Sequence, residues 1–189
     1  MRKLIEITFM SLNGMMDAPD IVQEAQRYFL SNKEHEEYQK KRLLAADSLL
    51  LGRKTYEVFS KAYPTMAQSR AGVPIDFVDR MNSLPKYVAS NSLKEASWNA
   101  KIIGGDIAQE IRRIKMLPGT DIIKYGTGPL DSILFGQHLV DLLCIIVYPF
   151  VLAQGRHLFE GLGITTHLNL VEVNRFENGT VVLEYIPRN

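Results

Sequence analysis

"LLLGRKTYEVF", residues 49 to 59, runs from an apolar stretch through a glycine into two cations, a hydroxyl and a mixed segment. Every residue from Leu49 to Leu51 is apolar, which suits a strand covered on both faces. After Gly52 the pattern changes and reads as a helix start. A strand that passes directly into a helix is half of a βαβ unit, so this stretch places the chain among α/β folds. Arg53, Lys54 and Thr55 then stand at a helix entrance. Two readings are open. One is a plain polar turn after a strand; the other is an anion site, because a helix N-terminus offers unpaired N–H groups and partial positive charge.

Working outward, the same design recurs. Residues 3 to 10 alternate, with Ile5, Ile7 and Phe9 on one face. Further strands are predicted at 47–52, 86–90, 100–103, 121–125 and 141–149. Helices are predicted at 32–46, 53–60, 75–83, 105–116 and 129–138, with Asn32 and Asp106 as caps and Pro129 at a first helical position. The tail from 167 to 186 holds two alternating strands joined at Glu177-Asn178-Gly179, a hairpin signal. Strand and helix alternate before that hairpin. This predicts one domain over residues 1–189: a three-layer sandwich with a mostly parallel central sheet, helices on both faces and a C-terminal antiparallel hairpin. Residues 63–74, "YPTMAQSRAGVP", read as a long irregular loop.

Composition narrows the function classes. The 189 residues carry 22 basic and 21 acidic side chains, net +1, with 46% hydrophobic residues. No basic excess points to nucleic acid or a membrane surface. No run reaches the ~18 apolar residues of a membrane span. Cys144 is the single cysteine and lies in an apolar run, so it reads as a small buried hydrophobe in a reducing, cytoplasmic setting. His35, His138, His157 and His167 have no metal-ligand spacing, so no metal is expected.

Three turns gather polar groups at strand ends, where ligands of open α/β sheets collect. They are Gly52-Arg53-Lys54-Thr55, Gly104-Gly105-Asp106 and Gly126-Thr127-Gly128-Pro129-Leu130. A further strand ends in Ser90-Asn91-Ser92. Gly126-Thr127-Gly128 is neither a GxGxxG fingerprint nor a Walker A loop.

Taken in order, these pieces resemble a known family. "LLLGRKTYEVF" is similar to the GR-x-T-(W/Y)-E element of the dihydrofolate-reductase fold. "SLNGMM", residues 11–16, resembles the S-L-D-G element of the RibD C-terminal reductase domain of riboflavin biosynthesis. Residues 121–162 resemble the late part of that domain, through Gly126, Gly128, Leu130, Leu139-Val140-Asp141, Pro149, Gly155 and Leu158-Phe159. The resemblance implies an NADPH-dependent reductase acting on a pyrimidine- or pterin-like small molecule, of the 5-amino-6-(5-phosphoribosylamino)uracil reductase type. It implies that Gly52, Arg53, Lys54 and Thr55 meet the cofactor phosphates, and that Ser90 and Asn91 meet the adenosine 2′-phosphate. Gly126, Thr127, Gly128, Pro129 and Leu130 would bracket the pyrophosphate and nicotinamide side. Asn13, Gly14, Met15 and Met16 would form a mobile loop over the nicotinamide, and residues 63–74 would line the substrate mouth. A homodimer is implied as well. Alternatives are a non-catalytic NADPH-binding module and dihydrofolate reductase proper. Thr127 stands where the folate enzymes have a second glycine, and Asn13 replaces an aspartate. Glu34, Glu36 and Glu37 read as a solvated helix face with Glu36 paired to Lys40, and catalytic residues are left unnamed.

Overall fold

The computed structural model describes residues 1–17, 24–25, 28, 32–69 and 74–188. Its elements in chain order are β1 (Leu4–Ser11), β2 (Met15–Asp17), α1 (Lys33–Ala45), β3 (Ala46–Gly52) and α2 (Arg53–Ser69). Then come α3 (Ile75–Ser83), β4 (Lys86–Ala89), β5 (Ala100–Ile103), α4 (Ile107–Met116), β6 (Asp121–Tyr125) and α5 (Leu130–Gly136). β7 (Leu142–Tyr148), β8 (Arg156–His157), β9 (Leu168–Arg175) and β10 (Val181–Pro187) complete the chain.

Eight strands form one sheet in the order β5-β4-β3-β6-β1-β7-β10-β9. Strands β5 through β7 of that order run parallel, and β10 and β9 add on antiparallel. Side chains alternate across the sheet and build two cores. Ile5, Ile7, Leu49, Leu51, Ile123 and Ile146 face α1, α2 and α3. Leu4, Leu50, Ile122, Leu143 and Ile145 face α4 and α5. Both faces of β3 are thus covered, which is why its sequence shows no polar alternation. The caps act as expected: Asn32 Oδ1 accepts from His35 N, and Asp106 Oδ1 from Gln109 N.

Three local expectations are corrected. Residues 63–69 are not irregular: α2 continues to Ser69 with Pro64 inside it. Tyr56, Phe59 and Tyr63 lie on one helical stripe against the sheet, and their burial outweighs the single N–H that Pro64 removes. Asn82 Nδ2 donates to the Tyr63 carbonyl at 3.2 Å, and Thr65 Oγ1 to the Lys61 carbonyl at 2.9 Å, which satisfies acceptors near the proline. Residues 70–73 of the expected mouth segment lie outside the described residues. Second, Lys40 pairs with Glu37 and with Asp76 of α3 rather than with Glu36. Third, Pro129 precedes α5 as its cap instead of opening it.

One feature was not legible. β2 and β8 form a separate two-stranded antiparallel sheet that ties the segment after β1 to residues 156–157. Among the described residues no helix is long and apolar enough to cross a membrane.

Candidate functional site

A cavity of about 640 Å³ opens beyond the carboxyl ends of β3, β4 and β6. It is within the usual size range of small-molecule sites. All eleven residues expected at the cofactor line it, in three segments: Gly52–Thr55, Ser90 with Asn91, and Gly126–Leu130, whereas Gly104, Gly105 and Asp106 of the remaining expected turn do not. The parallel topology explains the convergence, since β3 lies between β4 and β6 and each of the three turns leaves the same sheet edge.

Arg53 and Lys54 are exposed at the first turn of α2. Arg53 Nη1 is 3.0 Å from Glu57 Oε1, an i,i+4 pair on the open helix face. Gly126 has φ +73°, and a Cβ there would sit 3.4 Å from Thr55 Oγ1. That spacing presses the second turn against the first, with Thr55 at the junction. Ser90 Oγ accepts from Ser92 N at 3.2 Å and Leu93 N at 3.0 Å. Asn91 Oδ1 accepts from Gly105 N at 2.8 Å, and a Cβ on Gly104 would come within 2.9 Å of that oxygen. The Gly104-Gly105 turn therefore acts here by letting Asn91 seat itself.

The Gly126–Leu130 turn is held from below. Lys124 Nζ donates to the Gly126 carbonyl and lies 2.6 Å from Asp131 Oδ1 and 3.2 Å from Glu6 Oε1. Asp131 Oδ2 accepts from Gly128 N at 2.8 Å, so that N–H is already committed. Glu6 is fully buried, and desolvation pushes its carboxyl up to about 7 against the pull of Lys124.

None of Asn13, Gly14, Met15 and Met16 lines the cavity. Their segment is fastened rather than loose. Asn13 Oδ1 accepts from Ser11 Oγ and Leu152 N, and its Nδ2 donates to the Leu152 carbonyl. Gly14 O accepts from Leu158 N, and Met15 pairs with His157. Met16 alone reaches the site: its Sδ is 3.3 Å from Thr127 Oγ1 and 3.0 Å from Arg156 Nη2. Glu34, Glu36 and Glu37 of α1 also stand outside the cavity lining; Glu34 and Glu37 border a separate groove with Lys40, Lys41 and Phe176.

Lys124, Tyr125, Ser132, Arg156 and Glu160 line the cavity without having been singled out from sequence. Arg156 follows Gly155 in the Gly-x-x-Leu-Phe element, so its position was flagged although its charge was not used. The lining combines Arg53, Lys54 and Arg156 with hydroxyls and close-approach glycines. This donor set fits the phosphates of a dinucleotide.

A family model described as the RibD C-terminal domain matches residues 2–182. YyaP of Bacillus subtilis (strain 168) is 28% identical over 139 residues, covering 74% of this chain and 73% of that protein. A pyrimidine reductase-like protein from Corynebacterium diphtheriae superposes with TM-score 0.62 at 14% identity, over 100% of this chain and 92% of that one. Dihydrofolate reductase from Enterococcus faecalis, complexed with NADP(H), superposes with TM-score 0.55 at 11% identity, over 99% and 97%. At these identities the two structures speak to fold alone.

Proposed function

The chain belongs to the RibD C-terminal domain family, and from that premise we propose that it is an NADPH-dependent reductase of a pyrimidine- or pterin-like heterocycle, of the 5-amino-6-(5-phosphoribosylamino)uracil reductase type. The observation that carries this reading is the meeting of Gly52–Thr55, Ser90–Asn91 and Gly126–Leu130 in one cavity. Those turns are far apart in sequence and share a demand for a long, anionic ligand. NADPH, when bound, supplies the hydride; the protein supplies position and field. Arg53 and Lys54 provide charge at the entrance of α2, and Thr55 a donor there. Ser90 and Asn91 suit the adenosine 2′-phosphate, and Arg156 adds a cation beside Thr127. Met16 ties the loop after β1 to Thr127 and Arg156, while Asn13 fastens it to the Leu152 backbone. We propose a cytoplasmic location as well, which the single, free and buried Cys144 supports.

Titration with NADPH and NADH, read by fluorescence quenching and melting temperature, tests the cofactor. NADPH is expected to bind more tightly. Arg53→Ala is expected to weaken NADPH about tenfold, the loss of one charge-assisted contact at a partly exposed site. Unchanged affinity removes Arg53 from the site.

A second reading, a non-catalytic NADPH-binding module, is favoured by two contacts. Thr127 and Arg156 both engage Met16 and so fasten the loop across the turn. Oxidation of bound NADPH on adding a ribosylaminopyrimidine selects the reductase; tight binding without oxidation selects the module.

The proposal extends to a homodimer through β9. This edge strand exposes Leu170, Val171 and Val173, each more than half accessible. An eight-residue edge with apolar side chains is a ready template for a second copy. Val171→Lys with Val173→Lys is expected to give a monomer in sedimentation; an unchanged dimer would move the interface elsewhere.

A further inference from the structure

Three ionisable side chains meet beneath the Gly126–Leu130 turn, and each is 3% exposed or less. Lys124 faces two carboxylates, Glu6 at 3.2 Å and Asp131 at 2.6 Å. With both acids ionised the cluster would carry one uncompensated negative charge inside the protein. Such a charge costs several kcal/mol, and a group in that position takes a proton instead. Asp131 has two partners, Lys124 and Gly128 N. Among the described residues Glu6 has Lys124 alone, and its Oε2 meets no donor. Of the two acids Glu6 is therefore the one that titrates: with its carboxyl pushed up to about 7 by burial, it is divided between its protonated and ionised forms near neutral pH.

Among the described residues, the charged groups that act on Glu6 are Lys124 and Asp131. Glu6 comes from β1, Lys124 from β6 and Asp131 from α5. Opposite Glu6, β7 presents Leu143, with Ile145 on the same face. The buried cation of α4, Lys115, is committed to the Leu139 carbonyl and Asp141. Lys124 also lines the cavity, so this cluster is the cavity's floor.

We propose that Glu6, Lys124 and Asp131 form the charge-balanced floor of an anion site, and that Glu6 takes up a proton from solvent when a phosphate-bearing ligand settles on the Gly126–Leu130 turn. This rests on the cofactor reading above and deepens it. An anion above the floor makes the ionised form of Glu6 less favourable, and linkage makes the effect mutual: the protonated floor binds the anion more tightly. Glu6 and Asp131 are thus positioning residues that act through Lys124.

The test is calorimetry of NADPH binding to the wild-type protein and to Glu6→Gln from pH 6 to 8, in buffers with different heats of ionisation. A one-unit rise in the Glu6 titration on binding makes NADPH about tenfold tighter below it than above it. The 2′-phosphate of NADPH itself titrates at about 6, so the readout is the difference between the two proteins, and above pH 7.5 the wild type alone suffices. The expected result is buffer-dependent heat showing proton uptake in the wild type near neutral pH, absent in Glu6→Gln, whose affinity follows the phosphate alone. Should Glu6→Gln not fold, uptake by the wild type at pH 7.5 still decides. Binding without proton uptake there, or with equal uptake in both proteins, overturns the inference and leaves the cofactor reading intact. Absence of any NADPH binding overturns both.

Discussion

Replacing Lys124 with methionine is expected to cost the fold about 3–5 kcal/mol at pH 8, the usual penalty for removing one partner of a buried ion pair. Methionine keeps the stem's volume but removes the charge that Glu6 and Asp131 share. It also removes the donor to the Gly126 carbonyl. Two buried carboxylates would then face each other with no cation. Protonation is their escape, so the penalty is expected to shrink on moving to pH 5. Adding Glu6→Met to Lys124→Met is expected to restore part of the loss at pH 8, because an apolar pair replaces an unpaired charge. Urea unfolding of the three proteins at pH 5 and 8 checks this. A loss below about 1 kcal/mol at pH 8, or one independent of pH, would show that the floor is not electrostatically organised.

The same cluster shows what was legible in the sequence. Local patterns sufficed for the strand-turn-helix at Leu49–Phe59, because burial on both faces, the glycine and the helix entrance are all encoded within eleven neighbouring residues. The order of the turns along the chain then pointed to the residues that wall the cavity. The floor was not legible. Glu6 and Lys124 sit in alternating strands where a polar residue ordinarily faces water, and only the β1–β6 register, which puts them side by side, buries both. Arg156 and Met16 meet through β2 and β8, strands of three and two residues that carry no periodic signal. Residues 63–69 read as irregular because the Tyr56-Phe59-Tyr63 stripe that holds the helix to the sheet is a tertiary contact rather than a local signal. Asn13 stood out in the sequence as a replacement for an aspartate, whereas in the fold its amide bonds to the Leu152 backbone.

His35 is expected to make the protein lose roughly 3 kcal/mol of stability as the pH falls from 6.5 to about 4, the free-energy equivalent of that gap in titration. The ring is fully buried, stacked on Phe176 at 5.2 Å and edge-on to Tyr148, with Gln39 Nε2 at 2.9 Å from its Nε2. Desolvation therefore holds it neutral in the folded state down to about 4, while the unfolded chain takes its proton at 6.5. Between those values the unfolded state binds more protons, so acid favours unfolding. Glu6 acts in the opposite sense. Its folded carboxyl keeps a proton up to about 7, whereas the unfolded one releases it at 4.5. Its contribution is fully present below 4.5 and is lost as the pH rises through 7. Over pH 4.5 to 6.5 the two slopes oppose each other, and the wild-type protein is expected to show little net dependence from this pair. Separating them is the decisive measurement. His35→Phe removes the rising slope and should become less stable with increasing pH across that window; Glu6→Gln removes the falling slope and should become more stable. All other titrating groups are common to the three proteins, so differences in urea midpoint at pH 4.5, 5.5 and 6.5 report His35 and Glu6 alone. Parallel curves for all three proteins would mean that water reaches these two side chains in the folded state, and that neither core is as dry as its packing indicates.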